Sequence, residues 1–279
     1  MNTDPTIALR LVSSALIEAR GADAESFLQG QFSNDVRAVS VQRAQLSSYN
    51  SPKGRMLAVL HLLRDADALL LELPRVLVEP VVKRLRMFVL RSKVSLTPSV
   101  RALIGVAGLR AAQVLERAGL PAPAAPLACA WTGGVGVMRR LGDVPRWSIV
   151  VAEGAADALL TQLGGGSGTE ADWRRLDLEA GVPNIYGTTQ DHFVPQMCNL
   201  DALGGISFDK GCYTGQEIVA RVHYRGAVKR RMETLRLAGE PPAPGTELTL
   251  ADGRRGEVVD AVAVAGDAAL VQIVLGGRD

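Results

Sequence analysis

The chain is poor in the residues that most often advertise a function. It has three cysteines (Cys129, Cys198 and Cys212) and three histidines in 279 residues. The cysteines are odd in number, widely spaced and without a CxxC pair, which argues against a disulfide framework and against a structural zinc site. Free thiols suit a reducing cytosol. His61, His192 and His223 share no metal-ligand spacing, so no metal is expected. Charge of one sign is also missing: 31 basic residues face 29 acidic ones, a net of +2. A nucleic-acid or membrane partner would have to be met by a local patch rather than by the whole surface. No uncharged apolar run reaches the ~20 residues that a membrane helix needs. The start, MNTDPTIALR, lacks the cationic region and apolar run of a signal peptide. A cytoplasmic, soluble protein is the expectation. Gly133, Gly134 and Gly136 lack the third glycine of a dinucleotide fingerprint, and no phosphate-loop pattern occurs. Aromatic residues are only 4% of the chain, so each ring near a candidate site carries weight.

What the chain does have is apolar periodicity, with 47% hydrophobic residues. Residues 11–19 read as a strand, and a helix capped by Asp23 follows to about Gln31. The apolar runs 56–63 and 68–73, divided by Arg64-Asp65-Ala66-Asp67, read as a hairpin. A helix with Pro80 in its first turn carries the stripe Val78, Val81, Val82, Leu85 and Val89. A strand is expected at 92–97. Strand-like runs recur near 102–106, 127–131, 134–139 and 147–152, and helical runs near 108–119 and 154–163. GGGSG (164–168) reads as a flexible linker. A further helix runs from about Glu170 to Ala180 and stops at Gly181. Residues 182–209 read as irregular loop. From about Arg231 strands alternate with turns, which suggests a small β-barrel. The predicted class is α+β: two ferredoxin-like lobes, residues 1–100 and 101–229, followed by a β-barrel over 230–279.

The densest chemistry lies in KGCYTGQEIVAR (210–221). Cys212 sits between glycines, beside Tyr213 and within reach of Lys210, Glu217 and Arg221. Flanking cations favour thiolate, the form that attacks and ligates. A free cysteine taken alone is usually a small buried hydrophobe; the two glycines, Lys210 and Tyr213 weigh against that. One thiolate cannot hold an iron–sulfur cluster stably, because such clusters typically want four ligands. Transient ligation, sulfur handling or redox chemistry is favoured over cluster storage.

This stretch resembles the signature of the YgfZ family, folate-binding proteins tied to tRNA modification and iron–sulfur cluster maintenance. GADAESFLQGQFSNDV (21–36), RLRMFVLRSKV (84–94), WRRLDLEAGVP (173–183) and NLDALGGISFDKGCYTGQE (199–217) resemble blocks shared with the T-protein of the glycine cleavage system. The resemblance covers almost the whole chain in order. It implies domains arranged around a central cavity for tetrahydrofolate, with Cys212 as the functional thiol. It further implies that Trp173 stacks in the folate pocket and that Glu179 meets the pterin. A carboxylate can accept two parallel N–H bonds from the 2-amino and N3 edge of that ring. The expected ligand contacts are Trp173, Glu179, Lys210, Tyr213, Arg221 and Arg225, with the folate tail near Arg221. The implied partners are folate and iron–sulfur enzymes such as those that thiolate tRNA.

Two departures qualify this. A second folate-contacting tryptophan of the family would fall at Ser14; Phe27 and Tyr49 are candidate substitutes. The aspartate pair that follows the corresponding turn in the T-protein is replaced by Leu57, Ala58 and Val59 after SPKGRM (51–56). That argues against glycine cleavage, and Lys53 and Arg55 suit an anion better. Trp173 and Glu179 each have a plainer reading, as core packing and as an exposed helix-end carboxylate. They are six residues apart and so lie on different faces of a helix. The run Arg221, His223, Tyr224, Arg225, Lys229, Arg230, Arg231 has three readings: a site for the anionic folate tail, an RNA contact with Tyr224 as stacking ring, or a solvated strand and turn. The split favoured here turns Arg221 and Arg225 inward and Lys229 to Arg231 outward. A folate-dependent one-carbon transferase and a direct tRNA-binding module are the alternative functions.

Overall fold

The two apolar runs divided by Arg64-Asp65-Ala66-Asp67 form the hairpin that their pattern predicts. Strand β4 (Met56–Arg64) and strand β5 (Leu69–Pro74) pair antiparallel, with Leu62 opposite Leu71 and Leu63 opposite Leu70. Asp65 closes the turn: its Oδ1 accepts the backbone N–H groups of Asp67 and Ala68 at 2.8 and 2.7 Å, an Asx turn that fixes the register. Strand β2 (Ser14–Arg20) pairs with the other edge of β5, and β6 (Ser95–Pro98) pairs with β2. Helix α2 (Val78–Arg86) buries Val78, Val81, Val82 and Leu85, the predicted stripe except for Val89, which lies past the helix end and is half-buried. Pro80 costs little there because the first-turn N–H has no helical partner to lose.

This computed structural model describes residues 6–166, 168–226 and 228–276. Ser167 of the predicted 164–168 linker and the first five residues lie outside the described residues. The chain divides into two compact units. One comprises Met1–Ala24, Arg37–Gln45 and His61–Leu176; the other comprises Glu25–Val36, Leu46–Leu60 and Asp177–Asp279.

In the first unit a second antiparallel sheet has the order β1-β7-β10-β9-β8. Its strands are β1 (Ile7–Arg10), β7 (Arg101–Ala107), β8 (Cys129–Thr132), β9 (Val135–Arg139) and β10 (Arg146–Ala152). The strand expected over 11–19 begins only at Ser14, as β2, and β1 before it was not expected. Helices α3 (Ala111–Arg117) and α4 (Ala156–Gln162) share a core with Ile104, Val106, Trp147 and Ile149. Trp173 and Leu176 of α5 (Glu170–Glu179) pack in a separate core with Leu103, Met138 and Val150. Gly105 permits this. A Cβ there would lie 2.7 Å from the Trp173 ring, so only glycine lets the indole lie against the strand backbone.

The second unit contains most of α1 (Ala24–Gln29), most of β3 (Gln45–Asn50), the first half of β4 and helix α6 (Gln216–Arg225). It also holds the C-terminal β-module expected from Arg231 onward. That module is a sheet of order β11-β14-β13-β12, built from β11 (Arg230–Ala238), β12 (Glu247–Thr249), β13 (Arg255–Val264) and β14 (Ala268–Gly276). Its core is Val258, Ala261, Val271, Ile273 and Leu275. A register shift between Val258 and Asp260 interrupts β13, the kind of irregularity that bends a strand and curls a sheet. The architecture is mixed α+β, as predicted. Among the described residues no helix is long and apolar enough to cross a membrane.

Candidate functional site

Lys210 is buried, with 6% of its surface exposed. A buried ammonium must recover the hydration it gives up. Its Nζ donates to the carbonyl oxygens of Gln29, Phe32 and Asn34 at 2.7, 2.6 and 2.8 Å. These carbonyls lie at and just beyond the C-terminal end of α1, where helix carbonyls lack helical partners and the dipole favours a cation. The same ammonium lies 5.0 Å from the centroid of the buried Tyr213 ring, a cation–π contact in a dry setting. Burial also raises the Tyr213 hydroxyl pKa, which keeps the ring neutral. The loop is tied further by the N–H of Thr214 to Gly30 O at 3.3 Å.

A second anchor lies at Gly215, the N-cap of α6, in the left-handed region with φ +82°. A Cβ on Gly215 would meet Ser51 O at 2.5 Å and Gly54 Cα at 2.8 Å. The signature loop and the SPKGRM turn therefore touch glycine to glycine, which no other residue permits. Between the two anchors stands Cys212, and it is exposed. A Cβ on its neighbour Gly211 would meet nothing within 4 Å.

The other thiols are opposite in kind. Cys129 and Cys198 are buried. Burial pushes the Cys129 thiol up to about 12; Cys198 is raised by burial and by the charge of Glu257. Both are held as thiols and neither serves as a nucleophile near neutral pH.

The SPKGRM turn has a carboxylate that its own sequence lacks. Asp191, from the loop 182–209, accepts the Ser51 hydroxyl at 2.5 Å and lies 3.6 Å from Lys53 Nζ. Arg55 Nη1 donates to His192 O, and His192 Nδ1 is paired with Glu257. Local sequence around Leu57, Ala58 and Val59 gave no sign of Asp191; it arrives from more than a hundred residues away.

The basic run differs from the plain strand-and-turn reading. Gln216–Arg225 is a helix, and Arg221 and Arg225, expected inward, are exposed. Arg221 pairs with Glu217 one turn back at 2.7 Å, both side chains exposed, a pair worth about 0.3–0.5 kcal/mol. Arg231 pairs with Asp201.

Trp173 belongs to a different environment, in the first unit. It is 5% exposed. The guanidinium carbons of Arg146 and Arg140 lie 5.3 and 6.0 Å from its ring centroid. Arg146 also donates to Leu141 O at 3.1 and 2.9 Å, and Arg140 is paired with Glu72 at 2.7 Å. His61 stands opposite Glu72 across the β4–β5 pair. Burial and then the charges of Arg140 and Arg146 hold it well below its usual pKa. Glu179, at the end of α5, is exposed. Lys210, Cys212 and Tyr213 are thus brought together in one loop, while Trp173 lies within the core of the other unit. Ser14, where the family tryptophan would fall, is half-buried in β2.

A mixed α+β chain with this thiol-bearing loop has the aminomethyltransferase type of fold. It superposes on the glycine cleavage system aminomethyltransferase T from Bartonella henselae with a TM-score of 0.79, covering 97% of this chain and 78% of that one. At 19% identity that likeness establishes the fold alone. No family model matches the chain. Among curated proteins it is 35% identical to the tRNA-modifying protein YgfZ of Escherichia coli O127:H6 (strain E2348/69 / EPEC), over 97% of this chain and 86% of that protein. Identity to the same protein of Escherichia coli O157:H7 (strain EC4115 / EHEC) is 36%. The chain belongs to the YgfZ family.

Proposed function

We propose that this chain is a folate-binding accessory protein for tRNA modification, supporting iron–sulfur enzymes through Cys212. The observation that carries the proposal is the contrast inside the signature loop: Lys210 and Tyr213 are buried while Cys212 is exposed. The loop spends its one buried cation on three carbonyls. That holds the backbone on either side of the thiol, so the sulfur reaches a partner without the ordering cost of a flexible loop. Lys210 is a positioning residue in this reading, and Cys212 is the group that meets the client.

Tetrahydrofolate is the ligand expected of the family, and the Trp173 neighbourhood fits a pterin in kind. The indole itself is sealed, at 5% exposure, with the Arg140 and Arg146 guanidinium groups over its ring, so the polar groups beside it rather than its face would meet the ligand. Glu72 Oε2 and His61 Nε2 are buried with no hydrogen-bond partner among the described residues. A pterin carries the N–H donors and ring nitrogens that such atoms bond, and buried polar atoms are rarely left unpaired. Bound folate would supply one-carbon or redox chemistry; the chain's own residues would orient it and keep water away.

A folate-dependent transferase is the second reading, favoured by Asp191, a carboxylate held at the SPKGRM turn by Ser51 and Lys53. The two separate cleanly. The accessory reading expects Cys212→Ser to abolish tRNA thiolation in cells whose only copy is the variant, with tetrahydrofolate affinity, read by tryptophan fluorescence, and melting temperature unchanged. Undiminished thiolation would overturn it. Stoichiometric conversion of methylene- or formyl-folate by purified protein with tRNA would favour the transferase.

A further inference from the structure

Aromatic residues are scarce in this chain, yet three rings meet at the surface of the second unit. The Phe208 and His223 rings are stacked, centroids 3.7 Å apart and 14° from parallel. Tyr224 meets both edge-on, at 6.2 Å from Phe208 and 4.7 Å from His223. The group is not a buried core: Tyr224 is 66% exposed, and His223 is exposed too. Two cations follow at once, Arg225 at the end of α6 and Lys229 just before β11. Both are exposed, and neither pairs with a carboxylate among the described residues. No acidic residue occurs from 218 to 232; the nearest before that, Glu217, is taken by Arg221. Asp209, next to Phe208, is an exposed carboxylate at the other side of the ring group, so the positive charge lies on the Tyr224, Arg225 and Lys229 side of the rings.

We propose that the C-terminal end of α6, with Phe208 and Lys229, is a contact surface for single-stranded RNA, with Tyr224 and its partner rings as a stacking platform and Arg225 and Lys229 as phosphate contacts. The pairing of ring faces with unneutralised cations matches that chemistry: every base has a π-face to stack, and the backbone brings one negative charge per nucleotide. Duplex RNA keeps its bases stacked inside and cannot use the rings. An acidic peptide would use the cations and leave the rings idle. The inference rests on the tRNA-modification reading above but not on folate or on the thiol.

The test is fluorescence anisotropy with a labelled anticodon stem-loop and a fully paired RNA of equal length, at two salt concentrations. The wild type is expected to prefer the stem-loop. Tyr224→Ala should weaken stem-loop binding by about tenfold, the loss of one stacked base, and leave the paired RNA unaffected. Tyr224→Phe keeps the ring and should keep the affinity. The double variant Arg225→Glu, Lys229→Glu should weaken both RNAs and flatten the salt dependence. Tyr224 is exposed enough that its truncation should leave the melting temperature and tetrahydrofolate titration unchanged, which checks the fold. Equal affinity for both RNAs, an unchanged Tyr224→Ala, or polyglutamate binding as tightly as RNA would overturn the proposal. Cys212→Ser is expected to bind RNA as the wild type does, so the thiol reading and this one fail independently.

Discussion

The surroundings of Trp173 and of Cys212 use buried cations in opposite ways. Around Trp173, Arg140 is paired with Glu72, Arg146 donates to Leu141 O, and both lie over the indole. Charge there is turned inward and the aromatic ring is sealed with it. Around Cys212 the buried cation is Lys210, and its bonds hold backbone rather than side chains. The residue two positions on stays outside. The first pattern makes a region hard to change; the second makes a rigid stem for an exposed group. Function that needs a partner to arrive is better served by the second.

The comparison breaks most visibly at Trp173. Trp173→Ala removes a buried indole packed on Gly105 and should cost about 3–5 kcal/mol, measured as a shift in urea unfolding at constant m. A loss below about 1 kcal/mol, in the range of surface substitutions, would show that the ring contributes little to this core and is free to serve a ligand instead. Trp173→Phe, which keeps an aromatic face, should recover much of the stability.

Lys210→Met keeps the aliphatic stem but leaves three carbonyls without their donor. Hydrogen bonds to charged groups and the cost of orphaned partners put the loss at about 2–3 kcal/mol. The sharper readout is local. Amide hydrogen exchange should quicken at 30–34 and 211–215, the two segments that the ammonium ties, while the β11–β14 sheet keeps its protection. Unchanged exchange at 211–215 would mean that Gly215 and the α6 N-terminus suffice to hold the loop.

Why one of these regions was readable and the other was not follows from the range of the interactions involved. The β4–β5 hairpin and the α2 stripe were legible because turn chemistry and periodicity are local: Asp65 bonds residues two and three positions on. Cys212 was legible because its neighbours in sequence are its neighbours in space. Helix α6 was missed. Its only buried residue is Val219, so it shows no apolar stripe, and its charges read as a plain run. Strand β1 was missed because four residues carry too little pattern, and its partner β7 lies about a hundred residues away. Still longer separations hid Asp191 beside Ser51, and the three carbonyls that claim Lys210, a residue that the resemblance offered as a ligand contact. Phe208 carried no signal until α6 brought His223 onto it.

The smallest effect expected is a pH dependence in the sealed region. The folded chain keeps His61 neutral, because burial and the charges of Arg140 and Arg146 hold its pKa well below 6.5. The unfolded chain has no such constraint and takes up a proton as pH falls through about 6.5. Below that point the unfolded state binds more protons than the folded one, so stability falls as pH falls, by at most about 1.4 kcal/mol per unit. The loss ends only when the folded state also protonates. Carboxylates such as Asp65 and Glu18, where burial raises the pKa but hydrogen bonds and nearby arginine charges together lower it further, lose their contribution further down, below about pH 5. His192 and His223 are exposed and remain in every variant. The difference between wild type and His61→Gln therefore isolates His61. Urea unfolding at pH 7.5, 6.5 and 5.5 should show the wild type losing stability over the lower step and the variant losing less. Parallel curves would mean that His61 accepts a proton in place, with Glu72 opposite it as the partner, and that the sealed region can change its charge after all.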